Sequence, residues 1–91
     1  MTHDKVLPIV RHIREVYSFE DPNSYDHNGC VVLIAWDPMS GKAPHRYSVL
    51  RIDYQTGETI VIGRELPLQH ARQIAKNQQQ PGWVRGRKKI E

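Results

Sequence analysis

The chain reads as an α+β domain in which a three-stranded antiparallel meander packs against two helices, in the order α-β-β-β-α. Three observations predict it. Apolar residues recur at helical spacing at both ends of the chain, and three β-rich runs lie between them. Short turn-forming connections join those runs, which favours hairpin neighbours over crossovers. A three-stranded sheet has apolar surface to bury, and the two amphipathic segments are what the chain offers to cover it.

The first helix is expected in "DKVLPIVRHIREVYSF", where Val6, Ile9, Val10, Ile13, Val16 and Tyr17 recur at three- and four-residue steps. Thr2 or Asp4 supplies a cap, and Pro8 fits a first turn. A loop follows in "EDPNSYDHNG", dense in Pro, Asx residues and Gly. The run "CVVLIAWD" is apolar on both sides, as a central strand is, and "PMSGKAP" breaks it. In "HRYSVLRIDY", Leu50, Ile52 and Tyr54 share one face and Tyr47, Val49, Arg51 and Asp53 the other. "QTGE" is a tight connection in which Gly57 supplies the positive φ, and "ETIVIG" is the third strand. The last helix starts at Pro67 and presents Leu68, Ala71, Ile74 and Ala75 on one stripe. Pro81 and Gly82 stop it. Residues 1–82 are expected to form one α+β domain and residues 83–91 a basic tail.

Ninety-one residues suffice for one modest core, and 38% hydrophobic with 25% charged residues is ordinary for a globular protein. The longest apolar run, Cys30 to Trp36, is far short of the ~20 residues that span a bilayer. The N-terminal sequence lacks the pattern of a signal peptide, and the one cysteine cannot close an internal disulfide. These features point to the cytoplasm and away from a membrane partner.

The formal net charge of +3 is unevenly spread. Residues 1–63 carry six Lys/Arg against eight Asp/Glu, whereas residues 64–91 carry seven against two. Such a contrast is a mark of nucleic-acid or acidic-partner contact. Arg64, Arg72, Lys76, Arg85, Arg87, Lys88 and Lys89 are the cations concerned, and Trp83 adds a ring that stacks on unpaired bases or docks on the core.

Catalytic chemistry finds no footing. Cys30 opens an apolar strand, where burial raises thiol pKa. His27 and Cys30, three apart, have no second ligand pair for a tetrahedral metal site. "GRELP" lacks the glycines and the Lys-Ser/Thr of a phosphate loop. No catalytic residue, metal ligand or small-molecule cofactor is therefore assigned, and the chain reads as a binding protein.

The segment from Gly63 through "PLQHARQIA", with Ala71, Arg72 and Ala75 at small and basic positions, resembles the double-stranded RNA-binding domain, as does the order α-β-β-β-α. That resemblance implies RNA contact through the last helix. Leu68 and Gln69 stand where the family has phosphate-gripping lysines, so the cations would have to come from Arg72, Lys76 and the tail. The other expectation is a protein-protein interaction module (an inhibitor, adaptor or small subunit). It would use an open sheet face, an edge strand, or the 18–29 loop with Tyr17, Phe19 and Tyr25 around it.

Overall fold

The computed structural model describes residues 13–24, 28–37 and 46–85. They form one five-stranded antiparallel sheet and one helix, in the order β1 (Ile13–Glu20), β2 (Gly29–Trp36), β3 (Tyr47–Asp53), β4 (Thr59–Leu66), α1 (Leu68–Lys76) and β5 (Val84–Arg85). The strands lie side by side as β4-β3-β2-β1-β5.

This corrects the expected α-β-β-β-α order. Ile13–Glu20, read as the end of a first helix, is a strand paired along its length with β2. Two patterns compete in that stretch. Val16 and Tyr17 continue a helical stripe, but "EVYSFE" also alternates, with Tyr17 and Phe19 on one face and Val16, Ser18 and Glu20 on the other. The neighbour decides between them. Residues Gly29 to Ala35 are all buried, so β2 needs a strand on each edge, and an all-apolar strand left at a sheet edge would expose its backbone and side chains. β1 fills that second edge. The part of the predicted helix before Ile13 lies outside the described residues.

The rest of the meander is as expected. β2 and β3 pair from Cys30 opposite Asp53 to Trp36 opposite Tyr47, and the turn into β4 has Gly57 at φ 72°. β4 slips register twice against β3, on either side of Val49. The first slip lies at Ile62, whose side chain packs against the α1 core, and the second lies beside Glu65, at φ 54°. A bulge of this kind bends a strand and blunts an edge.

α1 lies on one face of the sheet. Ala71 and Ala75 are fully buried, and side chains that small let the helix sit close. Beneath it are Tyr17 and Phe19 of β1, Cys30, Val32 and Ile34 of β2, and Tyr47 and Val49 of β3. Trp83 joins this core at 8% exposure, docked just beyond the helix end. Gln79 holds it there, its side-chain amide donating to the Trp83 carbonyl at 2.7 Å. The fold therefore runs past Gly82, through Trp83 into β5, which pairs with Phe19 and Glu20 of β1.

The opposite face is also buried at its centre. Val31, Leu33, Ala35 and Leu50 form a second cluster with Ile52 and Tyr54 packed against it, although no described helix lies there. Tyr47 and Val49 lie under α1, while Val61 on β4 is 44% exposed. Trp36, at the end of the apolar run, is 37% exposed and lies edge-to-face on Tyr47.

Candidate functional site

The predicted cations divide between the two edges of the sheet. Arg64 is on β4, where its Nη2 donates to Asp37 Oδ1 at 3.1 Å. Asp37 is fully buried and also accepts the Glu65 backbone N–H at 2.9 Å. A carboxylate in that position fixes the β2 end to the irregular stretch of β4, so the Arg64 charge is largely spent within the fold.

Arg72, Trp83 and Arg85 gather at the other edge, around β1 and β5. Arg72 projects from α1 onto β1, where its Nε lies 3.0 and 2.8 Å from the two Glu15 carboxylate oxygens and its Nη2 also donates to Glu15. This fork matches the planar geometry of guanidinium on carboxylate. Glu15 additionally accepts the Tyr17 hydroxyl at 2.7 Å. The Arg72 hydrogen bonds hold the Glu15 carboxyl below its ordinary range, while burial and then the bond to Glu15 push the Tyr17 phenol up. Over the Tyr17 ring stands the Arg85 guanidinium, 4.9 Å from the centroid, a cation–π contact. Lys76 is exposed one helical turn beyond Arg72.

Arg87, Lys88 and Lys89 lie outside the described residues, as do Tyr25 and His27. The described residues carry seven Lys/Arg and seven Asp/Glu and are formally neutral, so the net +3 of the chain falls on the remainder. Trp83 cannot stack on a base from its place in the core. The residue missed in the sequence is Glu15; Tyr17, expected beside the 18–29 loop, pairs with it to organise this edge. The signal available was the alternation of "EVYSFE", which sets both on one face of a strand.

A second polar cluster lies where β3 meets the end of α1. Arg51 bonds Asp53 through Nε and Gln78 through Nη1, each at 2.9 Å, tying the strand to the helix end. Cys30, opposite Asp53 in the sheet, has a thiol pushed up chiefly by burial, which makes it a poor nucleophile. No helix among the described residues is long and apolar enough to cross a membrane. Comparison with known protein families, curated proteins and solved structures found no match to this chain.

Proposed function

We propose that the protein is a non-enzymatic binding protein whose β1–β5 edge and the basic segment beyond it contact nucleic acid through phosphate groups. The observation that carries this reading is the position of Arg85. It leaves the sheet over Tyr17 beside the Arg72–Glu15 pair, and the chain runs directly from it into Arg87, Lys88 and Lys89. With the described residues formally neutral, attraction for a polyanion concentrates on this densest run of cations in the sequence. Because Trp83 is occupied by the core, recognition rests on backbone charge and carries little base preference.

Four to five cations, counting Lys76, would give log affinity a slope against log salt of roughly −3 to −3.5 on a single strand. The test is binding of a generic single strand and a duplex at low and moderate salt. The comparison is between the full chain and a form ending after Arg85, which keeps Trp83 in place. Salt-sensitive binding that falls at least tenfold on truncation supports the proposal. Its absence from the full chain removes it.

A second reading, a protein-interaction module, is favoured by one observation. Ile60 and Val61 are 45% and 44% exposed on β4, within an uncharged run from Thr59 to Gly63 on the outermost strand. A stoichiometric protein partner that survives nuclease treatment and is lost in Val61→Lys would select it.

A further inference from the structure

We propose that the cavity at the end of β3 binds a small neutral molecule through a lactam edge, of the kind that guanine presents. The inference goes beyond the nucleic-acid reading and does not need it, since it involves no phosphate. Three observations carry it: a small polar cavity, a guanidinium–carboxylate pair fixed in its wall, and the cancelled charge of that pair.

The cavity measures about 300 Å³, at the small end of the ~300–1,000 Å³ range of ligand sites. It lies where three parts of the chain meet. Asn28 comes from just before β2, Arg51 and Asp53 from β3, Thr56 from the turn into β4, and Gln80 and Trp83 from the segment after α1. Apart from Trp83 and Gly29, the lining is polar or charged. A ligand dense in hydrogen-bonding groups therefore finds partners there, and an apolar one leaves them unpaired.

Arg51 and Asp53 stand two apart on β3 and share one face of the strand. Arg51 Nε donates to Asp53 Oδ1, and Arg51 Nη1 donates to Gln78 Oε1, each at 2.9 Å. The two side chains are 23% and 26% exposed, so they are partly desolvated and still within reach of a ligand. These bonds hold both groups in place and use only part of the guanidinium's donors and the carboxylate's acceptor sites. What remains is a donor beside an acceptor. Because the pair's charges cancel, an anion would meet Asp53 and a cation would meet Arg51, which disfavours either. A neutral lactam suits both groups: its carbonyl oxygen accepts from Arg51 while its N–H donates to Asp53. Guanine fills the pair most fully, with O6 for Arg51 and both N1–H and the N2 amino group for the carboxylate. Anchoring by Gln78 lowers the ordering cost of binding.

NMR titration of the isotope-labelled full chain with guanosine tests this. Saturable shifts are expected at the Arg51 side chain, the Gly29 amide and the Trp83 indole N–H. In 1-methylguanosine a methyl group replaces the N1 hydrogen, and this nucleoside should bind at least tenfold more weakly. Asp53→Asn keeps the side chain's shape and removes the carboxylate, and should weaken guanosine at least tenfold. Should that variant fail to fold, the comparison of the two nucleosides on the unaltered chain decides alone. Absence of saturable shifts at these groups overturns the proposal, and so does saturation confined to another surface. Equal affinity for the two nucleosides, or undiminished affinity in folded Asp53→Asn, overturns it as well. Guanosine carries no phosphate, so failure here leaves the polyanion proposal standing, and failure of polyanion binding leaves the cavity's ligand standing.

Discussion

Asp37 shows how one buried side chain organises an irregular strand. It is fully buried, and two of its acceptor positions are filled by Arg64 and the Glu65 N–H. Asp37→Ala should cost about 2–3 kcal/mol in urea denaturation, since it strands a backbone donor as well as an ion pair. Arg64→Ala should cost less, on the order of 1–2 kcal/mol, because the buried Asp37 carboxylate loses its cation but keeps the Glu65 N–H. Equal costs would refute this asymmetry. Glu15 carries the pH dependence. Its carboxyl titrates below the ordinary glutamate value of 4.5, chiefly because Arg72 donates to its charged form. A group with a lowered folded-state pKa stabilises the fold above its unfolded value, and that contribution disappears as pH falls through the folded one. Loss from this clamp therefore starts as pH drops below about 4.5. In Arg72→Ala, NMR titration should find the Glu15 pKa shifted upward, and an unchanged pKa would mean that Arg72 is not the cause.

The junction of β1 and β2 depends on a glycine. Gly29 has φ 147°, and a Cβ there would lie 2.2 Å from the Phe19 carbonyl oxygen and 2.8 Å from the Glu20 Cα. Both obstacles are backbone, which cannot rotate aside. Gly29→Ala should therefore destabilise the fold by about 3 kcal/mol or more, read by thermal or urea unfolding. Gly63 offers the contrast within β4. A Cβ there would meet the Leu66 Cδ1 at 2.7 Å, the end of a side chain that has other rotamers, so Gly63→Ala should be much the milder of the two. α1 depends on small residues in the same way. Ala71 and Ala75 are fully buried against the sheet, and Ala75→Leu should cost about 1–3 kcal/mol by overpacking. A neutral Ala75→Leu would mean that the helix has room to shift.

For the molecule as a whole, the described residues are formally neutral and the positive charge belongs to the remainder. Ending the chain after Arg85 should therefore weaken salt-sensitive polyanion binding at least tenfold with little change in stability or in Trp83 fluorescence, because Trp83 keeps its contacts in the core. A large loss of stability would show instead that the tail is part of the fold's support. The excess of positive charge in the C-terminal third was legible in the sequence alone. The grouping of Arg72 with Arg85, and the separation of Arg64 from both, was not. Residues far apart in sequence meet through the sheet order, and no local pattern states that order.

The sequence by itself determined the local choices governed by short-range physics: the β2–β3–β4 meander, the face alternation of β3, the Gly57 turn and the stripe of α1, although the helix ends at Lys76, ahead of the expected stop at Pro81 and Gly82. Each follows from side-chain periodicity or from a backbone conformation that few residues allow. Only the tertiary structure decided the state of Ile13–Glu20. Its pattern fits a helix face and a strand face alike, and the choice depends on β2, whose buried apolar run requires a neighbour on both edges. The tertiary structure also decided which cations remain available, since pairing with Glu15 and Asp37 depends on distance in space and not along the chain.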